Sequence, residues 1–265
     1  MTSHILSIRH GAVLEARLNR PEKKNALTGA MYDGIADIFE QASSSNSIRA
    51  VLLTAEGSTF TAGNDLAEFM SISGDLAASP QSRFVRAITG ATKPIVAAVH
   101  GRAVGIGTTM LLHCDLVYGT PDVKLSTPFV DMGLVPEAGS TLLFPTYIGL
   151  QRASALLLLG ETLDAEAAVA AGLVNAIVSA DELHAYALEK AQALASKAPE
   201  AFAVARRLMR GNKTQLDAHM AEEGEAFGRA VRGREARQAF TAFFEKRKPA
   251  AFTWNAGFNR LQTDT

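Results

Sequence analysis

Two periodicities of apolar residues organise the first half of the chain. Alternation of apolar and polar residues at 5–9 and 12–18, around His10-Gly11, predicts a β-hairpin. Continuous apolar runs at 50–54 and 95–99 predict strands that are buried on both faces. Further short strands are predicted at 115–119 and 123–126, and helices at 29–42, 65–70, 80–90 and 108–113, with Thr28 as the N-cap of the first. Strands that alternate with helices in this way are typical of repeated β-β-α or βαβ units.

The second half of the chain has a helical pattern. Helices are predicted at 149–159, 164–171, 180–197, 200–210, 214–232 and 234–246, with a short extended piece at 173–178. We therefore expect an α/β core at 1–200 and a helical C-terminal portion at 201–265. The apolar stripes of these helices are wider than a small appendage needs, which favours packing against another subunit.

Composition and charge exclude several classes of protein. The formal net charge is −1, which argues against broad electrostatic binding to nucleic acid or membranes. No apolar run reaches the length of a membrane-spanning helix, and residues 1–11 do not have the pattern of a signal peptide. The single cysteine, Cys114, suits a reducing compartment, so a cytoplasmic location is expected. The six histidines show no metal-ligand spacing and no metal site is predicted; His100 and His113 are expected to be packed and hydrogen-bonded.

Two glycine-bearing segments lie where a predicted strand meets a predicted helix. They are Thr59–Leu66, after the strand at 50–54, and Val99–Gly107, after the strand at 95–99. Backbone N–H groups at the start of a helix have no partner inside it, and two of them that face one point form an oxyanion hole. The alternative is that the glycines only permit tight turns. Met110 stands where a dinucleotide-binding fingerprint has its third glycine, so that function is not indicated.

The pair of segments resembles the two oxyanion-hole segments of the crotonase (enoyl-CoA hydratase/isomerase) family. The first is Phe60-Thr61-Ala62-Gly63-Asn64-Asp65-Leu66, and the second runs from Ala98 to Gly107 with glycine at 101, 105 and 107. Four other segments also resemble landmarks of the family: Asn19-Arg20-Pro21 with Asn25-Ala26-Leu27, Cys114–Tyr118, Ala171–Val174 and Phe244–Pro249. The resemblance covers nearly the whole chain. It implies a crotonase (ClpP-like) fold of repeated β-β-α units, a C-terminal trimerisation portion, and a homotrimer or hexamer. It also implies an acyl-CoA substrate with no separate cofactor.

The same resemblance assigns roles to individual residues. The oxyanion donors would be the backbone N–H groups of Asn64 and Ile106. Residues that border the coenzyme A or the acyl group would be Lys24, Ala26, Ala62, Asp65, Leu66 and Phe129. From its position alone, Asp65 is more typical of a helix cap than of a base.

The acids of the family's hydratases are replaced in this chain. The resemblance places Thr109 and Phe129 where hydratases carry their two glutamates. Glu137 remains, in a segment that resembles the 3-enoyl-CoA to 2-enoyl-CoA isomerases, and Gly63–Leu66 resembles the peroxisomal type of that group. One base suits this reaction, because the same carboxyl group can remove a proton from C2 and return it at C4. The apolar neighbours Leu134, Val135 and Phe129 are expected to raise the pKa of Glu137.

Several alternatives stay open at this stage. Glu137 is a candidate for an exposed loop carboxylate near a helix start. The enzyme is a candidate for a hydratase or for another enolate-forming acyl-CoA enzyme. A non-catalytic CoA-binding module is a further possibility, as is an RNA-binding module that uses the arginines at 229–234.

Overall fold

The computed structural model describes residues 2–70 and 76–247. The strands in this part of the chain are β1 (Ile5–His10), β2 (Val13–Leu18), β3 (Ala50–Ala55), β4 (Ile95–Val99), β5 (Arg102–Val104), β6 (Leu116–Gly119), β7 (Lys124–Ser126), β8 (Thr162–Leu163) and β9 (Ala176–Ile177). The helices are α1 (Gly29–Ser44), α2 (Leu66–Met70), α3 (Pro80–Thr89), α4 (Ile106–Thr109), α5 (Ser140–Ile148), α6 (Leu150–Leu157), α7 (Ala165–Ala170), α8 (Leu183–Ala195), α9 (Pro199–Met209), α10 (Lys213–Val231) and α11 (Arg234–Phe244). Among these, no helix combines the length and the apolar character that crossing a bilayer requires.

The strands form one large and one small sheet. The large sheet has the order β1-β2-β3-β4-β6-β9, with β1 and β2 antiparallel and all other neighbours parallel. The small sheet has the order β5-β7-β8. Because β3 and β4 are parallel neighbours, their carboxyl ends lie at one edge of the sheet, where the two glycine-bearing segments leave it.

Helices cover both faces of the large sheet, which explains the continuous apolar runs of β3 and β4. On one face, Val51 and Leu53 belong to the same core cluster as Phe39 of α1. On the other face, Leu52 of β3 and Val96 of β4 pack with α8, whose buried positions are Leu183, Ala187, Ala191 and Ala195. Successive residues of a strand point to opposite faces, so a strand with helices on both sides has no polar face. Each fully buried Leu, Ile or Phe stabilises the fold by roughly 1.5–3 kcal/mol.

Local sequence predicted the hairpin and most of the helices, and the α1 N-cap is confirmed. The Thr28 side chain accepts a hydrogen bond from the Met31 N–H. Several elements differ, among them the short strand β8, which was not predicted. The strand β5 at 102–104 was not predicted, because three residues are too few to show a period. The helix expected from 108 begins at Ile106. The helices expected from 149 are preceded by α5 at 140–148, whose internal Pro145 is normally a helix breaker.

The α/β fold is confirmed, and the helices expected in the C-terminal portion are present as α9, α10 and α11. The boundary at residue 200 stays a prediction. Residues 248–265, including the end of the Phe244–Pro249 landmark, lie outside the described residues. Of the predicted extended piece at 173–178, only Ala176–Ile177 forms a strand.

Candidate active site

A cavity of about 860 Å³ lies beside the two glycine-bearing segments. Asn64, Ile106 and Glu137 all line it, so the fold brings together the three residues predicted to carry the chemistry. Its remaining walls come from α1, α3, α10 and the residues just before α3. The lining from α1 is Tyr32, a residue that the sequence gave no reason to single out.

Among the described residues, none accepts a hydrogen bond from the backbone N–H of Asn64, whereas those of its neighbours are bonded. Asn64 forms an isolated parallel bridge with Leu27. The bonds of this bridge run from Leu27 N to Gly63 O (2.8 Å) and from Asp65 N to Leu27 O (2.9 Å). In a parallel bridge the central residue directs its own N–H to the opposite side. The Asn64 amide therefore points away from Leu27 and is available to a ligand.

The backbone N–H of Ile106 is available for a different reason. Ile106 is the first residue of α4, and the first N–H groups of a helix have no partner within it. Gly105, which precedes it, has φ of +56° and donates its own N–H to Ser126 O at 2.9 Å. This turn begins α4 directly beside the cavity, and glycine reaches that φ without the steric cost of a side chain.

Close backbone contact holds the two segments together. Thr61 and Ala103 form a parallel bridge, with hydrogen bonds from Thr61 N to Arg102 O and from Val104 N to Thr61 O, each 3.1 Å. A Cβ placed on Gly63 would lie 2.8 Å from Val104 O, well inside normal contact. Gly63 also has φ of +86°. Glycine at 63 is therefore required for Asn64 to sit next to the strand that leads to Ile106.

Glu137 is half-buried, and it lines the cavity. Burial raises its pKa to about 7, and the negative charge of Glu223 acts in the same direction. A hydrogen bond from Thr109 Oγ1 to Glu137 Oε1, 3.0 Å long, opposes both by favouring the ionised form. The expected rise in pKa is confirmed, and the interpretation of Glu137 as an exposed loop carboxylate is wrong. A carboxyl group with this pKa exchanges a proton near neutral pH.

Thr109 is a site residue whose role the sequence did not reveal. The resemblance placed Thr109 where hydratases carry a glutamate, so the sequence indicated only that a catalytic acid is absent at this position. In the fold, α4 directs its fully buried hydroxyl at the Glu137 carboxyl group. The contact joins residues 28 positions apart, and no short motif signals it.

A second carboxylate, Glu223 of α10, fixes the segment that carries Glu137. Its side chain is 5% exposed and accepts hydrogen bonds from Gly139 N (2.6 Å), Thr141 N (2.9 Å) and Thr141 Oγ1 (2.5 Å). These amides belong to the start of α5, where a negative charge is favoured by the helix dipole. Glu223 thus anchors the turn at 138–139, where both residues have positive φ.

Histidine and tyrosine side chains complete the support of the site. His113 Nε2 lies 2.8 Å from Ala138 O, and burial lowers the His113 pKa to about 4, so the ring is neutral. Tyr32 Oη donates to Asn64 Oδ1 at 2.6 Å, and burial together with the charge of Glu137 raises the tyrosine pKa well above its usual value. The prediction for His113 is confirmed. For His100 only the expected hydrogen bond is wrong, since its buried Nε2 has no hydrogen-bond partner among the described residues.

The residues predicted to border coenzyme A or the acyl group do not line this cavity. Lys24 is exposed, and its carbonyl oxygen accepts a hydrogen bond from Ala62 N at 2.9 Å; Ala26 lies two residues further on. Asp65 caps the start of α2 through Ala67 N and Glu68 N and pairs with Arg20 at 2.7 Å. Leu66 and the buried Phe129 belong to a separate apolar cluster with Leu134, Ala236 and Phe240. Their contact with a substrate stays a prediction.

Comparison with known proteins identifies the family. The model of the enoyl-CoA hydratase/isomerase family matches residues 9–255. A probable enoyl-CoA hydratase of Bacillus subtilis (strain 168) is 32% identical over 234 residues, which are 85% of this chain and 90% of the relative. Enoyl-CoA delta isomerase 2 of Rattus norvegicus is 34% identical over 226 residues, 83% of this chain and 58% of that protein.

A solved structure agrees with the sequence comparisons. The enoyl-CoA hydratase/isomerase from Pseudoalteromonas atlantica T6c has 43% sequence identity and a TM-score of 0.89, covering 94% of this chain and all of its own. The chain belongs to the enoyl-CoA hydratase/isomerase family and has the crotonase fold. Hydratases and isomerases both occur among these relatives, so the family does not decide between the two reactions.

Proposed function

We propose that this protein is an enoyl-CoA isomerase that shifts the double bond of a 3-enoyl-CoA to the 2-position. The observation that carries the proposal is one half-buried carboxyl group of raised pKa, Glu137, in a cavity that also presents Asn64 and Ile106. Among the residues that the structure describes, the other carboxylates that line the cavity are Asp217 and Glu225, and both are exposed. Each pairs with a cation on its own helix, Asp217 with Lys213 at 2.6 Å and Glu225 with Arg229 at 3.9 Å. They are therefore poor candidates for a second acid.

The reaction needs one group to move a proton and one site to hold charge. The ionised Glu137 removes a proton from C2 of the 3-enoyl thioester. The negative charge moves onto the thioester oxygen, which accepts hydrogen bonds from the N–H groups of Asn64 and Ile106. The protonated Glu137 then returns its proton at C4, which leaves the double bond between C2 and C3. Atoms balance without water, so a single carboxyl group suffices.

Hydration, the main alternative, requires two acid–base groups in the family's hydratases. In this chain the corresponding positions hold Thr109 and Phe129, and neither side chain transfers protons near neutral pH. Thr109 is instead occupied as a hydrogen-bond donor to Glu137. These features favour isomerisation over the addition of water.

A comparison of two substrates tests the proposal. Purified protein is assayed with 3-hexenoyl-CoA, for double-bond migration, and with crotonyl-CoA, for formation of the 3-hydroxy product. We expect the larger kcat/KM with 3-hexenoyl-CoA. Faster hydration of crotonyl-CoA would identify a hydratase, and coenzyme A binding in calorimetry without turnover of either substrate would identify a binding module.

The pKa of Glu137 predicts the pH dependence of the reaction. Proton removal from C2 requires the ionised carboxylate, which is lost as pH falls through about 7. The kcat/KM for 3-hexenoyl-CoA should therefore rise with pH and level off above an inflection near 7, because this parameter reports the free enzyme. A flat profile between acidic and mildly basic pH would show that Glu137 is not the titrating base.

Two substitutions should move that inflection in opposite directions. Thr109→Val removes the hydrogen bond that favours the ionised form of Glu137, so the inflection should move to higher pH. Glu223→Gln removes a negative charge that disfavours the ionised form of Glu137, so the inflection should move to lower pH. The matched control is Thr109→Ser, which keeps the hydroxyl. Shifts of the same sign in Thr109→Val and Glu223→Gln would contradict this account of the Glu137 pKa.

A further inference from the structure

A second group of titratable side chains lies away from the cavity. It consists of His10 at the end of β1, Glu15 in β2 and His184 in α8. Glu15 Oε2 lies 2.7 Å from His10 Nε2 and 3.2 Å from His184 Nε2. The three ligand atoms all lie within 4.8 Å of one another. The histidines are 174 positions apart, the difference between 184 and 10, so sequence spacing gave no sign of this cluster.

We propose that His10, Glu15 and His184 form a binding site for a divalent transition metal, with Zn²⁺ as the best-suited ion. Two imidazole nitrogens and one carboxylate oxygen are a ligand set that zinc uses, with solvent in the fourth position. Metal–ligand bonds near 2.0 Å in a tetrahedron imply ligand–ligand distances of roughly 3.3 Å. The distance from Glu15 Oε2 to His184 Nε2, 3.2 Å, is already close to that value, and the 2.7 Å distance to His10 Nε2 must lengthen when a metal binds.

The surroundings of Glu15 orient the carboxylate as a ligand. The side chain is fully buried, and its other oxygen, Oε1, accepts hydrogen bonds from Thr54 Oγ1 (2.5 Å) and Arg17 Nε (2.8 Å). Burial disfavours the charged form, but the hydrogen bonds from Arg17, Thr54 and the two histidines outweigh it and lower the Glu15 pKa to about 2. Partners of this kind on the far oxygen are what hold a metal-binding carboxylate in place.

The positive charge of Arg17 is the main feature that disfavours the binding of a cation at this site. Arg17 Nη2 lies 3.2 Å from His184 Nε2, so the guanidinium group must move away from the histidine nitrogen when a metal binds there. Arg17 is itself paired with Glu56, through Nη1 and Oε1 at 2.8 Å. With neutral histidines, Glu15 and Glu56 outweigh Arg17 by one negative charge, which favours a cation. Both histidines keep exposed surface, 25% and 43% of the side chains of His10 and His184, so an ion can enter from solvent.

The site is separated from the cavity by the large sheet. Leu14 and Ala16 of β2 belong to the core cluster that contains Tyr32 of α1. Glu15 points to the opposite face, where its neighbour along the strand, Val13, packs with α8. The proposed metal therefore has no contact with the proposed catalytic groups, and its role is to fasten α8 to the β1–β2 hairpin.

Zinc binding by the whole purified chain tests the proposal. After treatment with a chelator, the protein is titrated with Zn²⁺ in calorimetry, and Co²⁺ is used as a spectroscopic probe. We expect one ion per chain, a rise in Tm on binding because the ion favours the folded state, and Co²⁺ absorption of four-coordinate intensity. His10→Ala and His184→Ala should each weaken Zn²⁺ binding by more than about 100-fold, since even outer partners of a metal ligand contribute 10–100-fold.

The matched control is His4→Ala, which removes a histidine near the same edge of the sheet but outside the cluster. It should bind Zn²⁺ as the unmodified chain does. The histidines are substituted in preference to the fully buried Glu15, whose loss threatens folding, and circular dichroism verifies that each variant is folded. Absence of Zn²⁺ binding at micromolar concentrations would overturn the proposal, as would a Zn²⁺ affinity in the His10→Ala and His184→Ala variants equal to that of the unmodified chain. Neither result bears on isomerisation, which the 3-hexenoyl-CoA assay measures separately.

Discussion

Replacing Glu137 with glutamine should reduce the kcat for isomerisation of 3-hexenoyl-CoA by about 10²–10⁴-fold, the usual contribution of one positioned acid–base group. The amide keeps the shape of the side chain and its acceptor for the Thr109 hydroxyl. It cannot carry a proton from C2 to C4. Because binding contacts are retained, the loss should appear in kcat much more than in KM.

The control for this variant is Glu225→Gln. Glu225 also lines the cavity, but it is exposed and pairs with Arg229 on the same helix, 3.9 Å away. Removing its charge should leave kcat close to that of the unmodified enzyme. Near-normal turnover in the Glu137 variant would end the one-base mechanism, and an equal loss in both variants would point to a general effect of cavity charge.

Replacing Gly63 with alanine should reduce kcat by about 10²–10³-fold, the typical cost of losing one oxyanion donor. The new Cβ would lie 2.8 Å from Val104 O, and that neighbour is backbone with little freedom to move. Relief of the contact displaces the peptide that carries the Asn64 N–H from the position where a thioester oxygen would meet it. Steady-state kinetics with 3-hexenoyl-CoA measures the effect.

The effect of backbone strain on kcat must be distinguished from the effect of this displacement. Gly63 has φ of +86°, a region that alanine adopts at a cost. Gly172→Ala is the matched control, because Gly172 has φ of +76° and nothing lies within 4 Å of the added Cβ. Both variants should lose stability, while only Gly63→Ala should lose most of its turnover. Comparable activity in the two would show that the close approach to Val104 does not position the donor.

Sequence reasoning was strongest where a local pattern fixes structure. Continuous apolar runs predicted β3 and β4, and the resemblance to the crotonase family singled out Asn64 and Ile106 in the glycine-bearing segments that follow these strands. The resemblance of its segment to the 3-enoyl-CoA isomerases singled out Glu137, and the burial that raises its pKa agrees with the apolar residues beside it.

The groups that shift the pKa of Glu137 could not be predicted from the sequence. Thr109 and Glu223 act across 28 and 86 positions of the chain, the differences from 137, and each looks ordinary in its own helix. Contacts across such separations depend on how α4, α5 and α10 pack. No periodicity of the sequence encodes this packing. The same reason hid the cluster of His10, Glu15 and His184.

The position of Glu223 has a mechanical consequence. Helix α10 supplies both a wall of the cavity and the charge that holds a proton more firmly on the base. A displacement of that helix away from the cavity would withdraw this charge and break the hydrogen bonds that Glu223 accepts at the start of α5. The shape of the cavity and the pKa of the Glu137 carboxyl group therefore depend on the position of one helix.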